Sequence, residues 1–361
     1  MNRFAFTAAF AASFALTSAA SAQSSATFGD WSARCDNVLR CAAIGFAKEL
    51  GGGWLHFERD GAATAQARIR IVLDTESKDD TVAVSVKFDE PGFETIFPAS
   101  VQAKRDDSER HVIVVPDGAM DAFRNALRKA SQIVVRRTDG QKIAYDTDEL
   151  NLSLKGSVAT LRWIDERQRR VNTVTAMIAS GPAAATTIPS PPALPSIRKS
   201  RFVAKELGEK APPAVMAAWK EACDEWDEVG DRKGSGYLIG AQAQLWDMPC
   251  SRGAYNFGSM FFLQQGNKAQ LLKFEQWMRG EQRSAGRFET KAEELINAEF
   301  VPADMQIIFF SKGRGIGDCG SGGGYTWDGS RFRMTAYREL DECRGVPEDF
   351  WLTLWRTNVI K

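Results

Sequence analysis

The sequence predicts an α+β chain that is mainly antiparallel β, arranged as two disulfide-stapled β-rich domains with a few helices. Three observations carry this. Short runs of alternating or β-branched residues recur along the chain, two of them paired around Asp-Gly turns. The six cysteines fall into an early cluster and a late one. Between the clusters, residues 181–197 hold five of the 13 prolines and read as a semi-rigid, extended linker.

The chain opens with Arg3, an apolar and small-residue run from Phe4 to Ala20, and Ala20-Ser21-Ala22 before Gln23. This pattern predicts a cleavable secretory signal over residues 1–22, and so a periplasmic or secreted protein. No cysteine follows the cleavage point, which argues against a lipid anchor. No later apolar run is long enough for a transmembrane helix. In an exported chain, an even number of cysteines reads as disulfides. Pairing within clusters gives Cys35–Cys41, Cys223–Cys250 and Cys319–Cys343. Zinc would need close Cys-x-x-Cys spacing or histidine partners, and neither occurs.

The first domain is expected over residues 23–180. Phe28 to Cys35 alternates as a strand, and Cys41 to Phe46 returns across a short turn. Ala67–Leu73, Val82–Phe88 and His111–Val115 are further strands. After Pro116-Asp117, a helix carries Ala119, Phe123, Leu127 and Ala130 at helical spacing. Ile133–Arg137 and Gln141–Tyr145 flank Asp139-Gly140 as a hairpin. Gly156 to Ile178 reads as a helix, with the charged run Asp165 to Arg170 as its solvated face.

The second domain is expected over residues 198–361. Pro213 to Trp226 places Val215, Trp219, Ala222 and Trp226 on one helical stripe. Tyr237–Asp247, Ser259–Gln264 and Leu271–Phe274 read as strands, and residues 279–294 as a polar loop or surface helix. Leu295–Phe300 and Met305–Phe310 form a strand pair. Arg331–Arg338 and Phe350–Arg356 are the last strands, the first of them paired to Tyr325–Trp327 across Asp328-Gly329.

Several of these residues also carry a resemblance. Trp31, Cys35 and Cys41, the run Ile164 to Arg170, Pro249-Cys250 with Gly253 to Asn256, Lys312 to Gly320, and Cys343-Arg344-Gly345 together resemble the exported bacterial "domain of unknown function 1176" family. The resemblance spans the mature chain, includes the six cysteines and implies no activity. The first domain also resembles the invasion-associated locus B proteins, which implies an exported, envelope-associated β-rich domain.

Composition narrows the function classes. Lys plus Arg and Asp plus Glu are each 46, so the net charge is zero and nothing points to nucleic acid. There are two histidines, His56 and His111, both read as surface or half-buried, and the second domain has none. A Ser-His-Asp or Cys-His machine contained in that domain is therefore excluded. The acidic run Asp224 to Asp231 lacks the spacing of a calcium loop. No cofactor or metal pattern occurs.

The most distinctive stretch is Lys312 to Gly324, where seven of the 12 residues after Lys312 are glycine. It matches neither G-x-x-x-x-G-K-[ST] nor G-x-G-x-x-G. It reads as a tight disulfide-pinned loop with positive φ at several glycines, able to present backbone N–H groups. The candidate ligand-binding residues are Tyr255, Asn256, Lys312, Arg314, Asp318, Trp327 and Arg333, an aromatic and basic set suited to a glycan or peptide. The expected function is a non-catalytic binding or interaction module whose partner is an envelope protein or glycan. The alternatives are a His-independent hydrolase using carboxylates such as Asp318, and a purely structural envelope protein.

Overall fold

A computed structural model describes residues 25–144, 146–224, 227, 229–277 and 288–361. The expected signal over residues 1–22 lies outside the described residues, as does Trp226. The fold is mainly antiparallel β with three disulfides, joining Cys35 to Cys41, Cys223 to Cys250 and Cys319 to Cys343.

Residues 25–153 build one ten-stranded antiparallel sheet. Trp31–Cys35 pairs with Cys41–Phe46, and the disulfide joins the two strands at the turn end of this hairpin. Four strands were not delimited from the sequence, Ser25–Phe28, Gly53–Arg59, Val101–Arg105 and Glu149–Ser153. Gly53–Arg59 puts Leu55 and Phe57 in the interior and His56 and Glu58 on the other face. The sheet rolls back on itself: Ala47 bridges Leu152, and Lys48 N donates to Asn151 O at 2.8 Å. Phe57, Ile71, Val84, Phe123, Ile133 and Leu161 fill its interior. The helix Met120–Lys129 contributes Phe123, Ala126 and Leu127, which lie on one face at helical spacing.

Two expectations for this half are corrected. Asp139-Gly140 turns the chain, but Gln132–Arg137 pairs with Glu149–Ser153 rather than with 141–145. The second helix is Ser157–Arg167 and does not reach Ile178. Arg169 and Asn172 adopt φ of 55° and 65°, which ends the helix and turns the chain back. The charged run is not solvated either: Asp165, Gln168 and Arg170 are buried. Asp165 accepts from Arg59 Nη2 at 2.7 Å and from the backbone N–H groups of Met177, Ile178 and Ala179. Gln168 Oε1 accepts from Arg59 and Arg170, so the run is a buried polar knot that pins the returning chain.

Residues 181–195 run mostly extended, with Ile188 buried and Ala183 bridged to Thr173. Ser196–Arg198 then pairs in parallel with Asn358–Ile360 at the end of the chain. Beyond it lie a six-stranded sheet and a five-stranded sheet around Leu245, Phe261, Phe274, Ile307, Tyr325 and Trp327. The helix Pro213–Ala222 stops short of Trp226 and buries Val215 and Trp219. The stretch Tyr237–Asp247 is two strands, Ser235–Leu238 and Ala243–Arg252, paired across a turn. Residues 288–292, expected in a polar loop or surface helix, are a strand, the expected strand Leu295–Phe300 divides into Glu294–Ile296 and Glu299–Val301, and 278–287 lie outside the described residues.

The two halves share a third apolar cluster, in which Ile44, Phe46 and Trp54 meet Val346, Phe350 and Trp351. Charged side chains cross the same junction. Arg34, buried, pairs with Glu339 at 3.3 Å and Asp341 at 2.9 Å. Arg344 reaches Asp30 at 3.0 Å, and Arg356 reaches Asp36 at 2.5 Å. Removing one member of a buried pair such as Arg34–Glu339 leaves an uncompensated charge, so the junction tolerates little rearrangement.

Candidate functional site

The glycine-rich stretch divides in two, which corrects its reading as one loop. Lys312 ends the strand Gln306–Lys312, Gly313 to Cys319 is the turn, and Gly320–Trp327 is a strand in the middle of the five-stranded sheet. Positive φ occurs at Gly317 and Gly320 alone in this stretch. Gly322, Gly323 and Gly324 are ordinary extended residues, so the demand for glycine there is one of space.

The cross-strand register shows what that space is. Directly opposed residues of antiparallel strands point to the same face. One row across the sheet is Glu299, Ile308, Gly324, Ala336 and Arg356. The next is Phe310, Gly322, Arg338 and Thr353. Small residues occupy the middle of both rows and larger ones the flanks. The result is a trough of about 490 Å³ on the open face of the sheet. On the opposite face, Phe309 sits over Gly323 and stacks on Tyr325 with ring centroids 5.7 Å apart. Glycine inside a strand weakens it and commonly marks a close approach by another group. At Gly322 that group is Glu348, whose Oε1 lies 2.8 Å from where a Cβ would stand and which pairs with Arg338. At Gly324 an added Cβ would meet nothing nearer than 3.3 Å.

None of the turn residues lines this trough; the turn is linked to it through Asn297 and Phe310. Asn256 Nδ2 donates to Lys312 O at 2.9 Å, and Lys312 N donates back to Asn256 Oδ1 at 3.1 Å. Tyr255 Oη donates to Gly313 O at 3.3 Å. Asn297, which lines the trough, ties the two together by donating to Asn256 Oδ1 and Phe310 O. Ile316 at the tip of the turn is 75% exposed.

Five of the seven expected ligand residues therefore meet: Tyr255, Asn256, Lys312, Arg314 and Asp318. Two do not. Trp327 is buried against Phe332 in the core, because its strand carries it under the sheet. Arg333 lies opposite Thr326, at the far end of the strand from the turn. Within the cluster, Asp318 is occupied by structure: Arg314 donates to both of its oxygens, and Gly345 N donates at 2.7 Å. Burial pushes its carboxyl up, but these donors outweigh burial and hold it below the ordinary carboxylate range. Such a group is a poor proton donor. Cys319 and Cys343 lie beside it, but the sulfurs are bonded to each other and are not free to bind metal.

The trough itself was not read from the sequence. Its signal was the triplet Gly322-Gly323-Gly324 directly before the strand residues Tyr325 to Trp327. Register alone decides which of the three faces outward. Both histidines also differ from expectation, being buried. His111 is satisfied by Thr75 at 3.0 Å and Asp79 O at 2.8 Å.

A family model matches nearly all of the described chain.

The chain belongs to the DUF1176 family.

That family, described as proteins of unknown function, matches residues 25–358. An uncharacterised protein of Escherichia coli strain K12, YpfG, is 25% identical over 352 residues, covering 91% of this chain and 92% of the relative. No solved structure matches the chain significantly. Among the described residues, no helix is long and apolar enough to cross a membrane.

Proposed function

We propose that this DUF1176 protein is an exported, periplasmic binding module of the cell envelope that holds an extended ligand in the trough on its five-stranded sheet. The observation carrying this is the pair of small residues, Gly324 and Ala336, between Ile308 and Phe310 on one flank and Arg338 and Thr353 on the other. A central strand gives up side-chain packing there, and the space so made is open to solvent. The ligand class is a cell-wall glycan or a segment of an envelope protein. Backbone, threonine and amide groups along the walls, among them Thr335, Thr353 and Asn297, suit either polar chain. The three disulfides fit an oxidising compartment. The module is read as two β-rich domains, 23–180 and 198–361, joined at 181–197, and as non-catalytic, since Asp318 is committed to Arg314 and Gly345.

The test is the substitution Gly324→Val. It fills the trough at the glycine of the triplet where an added Cβ is least crowded, 3.3 Å from Ile307 O, so the backbone need give by only a few tenths of an ångström. Purified cell-wall glycan in a co-sedimentation assay, and cross-linking in envelope extract, should each be compared for the wild type and the variant. Loss of retention by about tenfold or more in one assay, with an unchanged melting temperature, is expected. Equal retention of both proteins in both assays would sink the trough as the site.

A further inference from the structure

A second concavity, also of about 490 Å³, lies where the two halves meet. His56, Glu58 and Arg70 line it from the first half, and Asp349, Phe350 and Arg356 from the second. It is separate from the trough, although Thr353 borders both.

The floor is defined by one hydrogen bond. Arg70 Nη2 lies 2.8 Å from His56 Nδ1. A guanidinium only donates, so Nδ1 must be the acceptor and the ring proton must sit on Nε2. His56 is 6% exposed, and its Nε2–H has no hydrogen-bond acceptor among the described residues. Arg70 Nε is likewise buried without an acceptor. The Phe350 ring packs against both groups, 5.8 Å from the imidazole and 5.9 Å from the guanidinium carbon. Two donors without an acceptor among the described residues, the buried Arg70 Nε and the His56 Nε2–H, thus stand beside an apolar wall, and buried polar groups are ordinarily paired.

The rim is the reverse. Asp107, on a turn of the first half, and Asp349, in the second half, are exposed and have no ion-pair or hydrogen-bond partner among the described residues. Five carboxylates line the cleft against three guanidiniums. The carboxylates of this cleft do not converge on a point that one metal ion would occupy. The lining therefore asks for a ligand with an acceptor at one end and a cation at the other.

We propose that this cleft binds a small zwitterion, an amino acid or short peptide, with its carboxylate on Arg70 and His56 and its ammonium between Asp107 and Asp349. The acceptor end meets the vacant His56 Nε2–H and the Arg70 guanidinium, whose Nη2 also faces Glu58 at 3.6 Å. The ammonium meets carboxylates contributed by both halves, so the ligand bridges the junction.

Isothermal titration of the whole mature chain with alanylalanine, N-acetyl-alanylalanine and alanylalanine amide tests this. The free dipeptide should bind saturably at millimolar or lower concentration, and each blocked form about tenfold more weakly. In the double variant Asp107→Asn/Asp349→Asn, the free and N-acetyl forms should bind alike, because the ammonium has lost its partners. In Arg70→Gln, the free and amide forms should converge. The two rim positions are exposed, so the double variant keeps the test valid if Arg70→Gln does not fold. The absence of saturable dipeptide binding by the wild type would overturn the proposal. So would equal affinity for the free and N-acetyl forms, or a double variant that still discriminates between them.

Discussion

Asp165 and Asp247 are both carboxylates held largely away from water, one in each half of the molecule, and the fold treats them in opposite ways. Asp165 receives four donors, from Arg59 and from three consecutive backbone N–H groups. Asp247 has Ser259 as its hydrogen-bond partner, and burial pushes its carboxyl up to about 6. Burial alone therefore does not set the state of a charged group. The number of donors aimed at it does. The same contrast separates the Asp165 knot, where polar atoms are matched, from the floor of the junction cleft, where His56 Nε2 and Arg70 Nε are left over. Matched polar clusters hold structure. Unmatched ones are where a ligand has something to supply.

Three substitutions test that contrast. The largest effect is expected for Asp165→Ala. It strands Arg59 as a buried charge and frees three backbone donors, and should cost about 3–5 kcal/mol in denaturant unfolding. A loss below about 1 kcal/mol would mean the knot is not what pins the chain after the helix.

His56 comes next. Burial, and then the charge of Arg70, hold its pKa down at about 3, against an ordinary value of 6.5. Between these values the unfolded chain binds the proton and the folded chain does not. Stability from this group is thus full above pH 6.5 and falls as pH drops toward 3, by on the order of a few kcal/mol. In His56→Gln that part of the acid slope should vanish. An unchanged slope between pH 6.5 and pH 4 would show that the imidazole is not held neutral.

Asp247 gives the opposite sign and a smaller effect. Its folded pKa is raised, so its contribution is most favourable below the unfolded value of 3.8 and is lost as pH rises through about 6. Asp247→Asn should therefore stabilise the protein at pH 8 by up to about 3 kcal/mol, and by little at pH 4. A variant no more stable at pH 8 than the wild type would mean that the carboxylate has compensating donors.

Much of the fold was legible in the residues. Cys41–Phe46, the hairpin across Asp328-Gly329 and the helix after Pro116 announced themselves by alternation, turn chemistry and helical spacing. The strand Gly53–Arg59 was not delimited, although Leu55-His56-Phe57-Glu58 alternates in polarity. The run from Asp165 to Arg170 misled for a physical reason. Charged residues at helical spacing look the same whether they face water or converge on one another. The partners that bury them, Arg59 and the backbone of Met177 to Ala179, are distant in sequence or lie beyond the turn at Arg169. Of the candidate site, the turn cluster around Tyr255, Asn256, Lys312, Arg314 and Asp318 was legible as a composition. The trough was not, since alternation leaves open which glycines of the triplet face outward until a neighbouring strand fixes the register.

By itself, then, the sequence determined the antiparallel β character, the family and the unusual glycine content before Tyr325. These follow from side-chain type and local spacing. Only the tertiary structure decided that Gly324 and Ala336 floor an open trough, that Trp327 is core, and that His56 and Arg70 face a cleft closed by Asp349 and Phe350. Each of those is a matter of pairing register or of contact across more than a hundred residues of chain, or both, and neither is written in the spacing of neighbours.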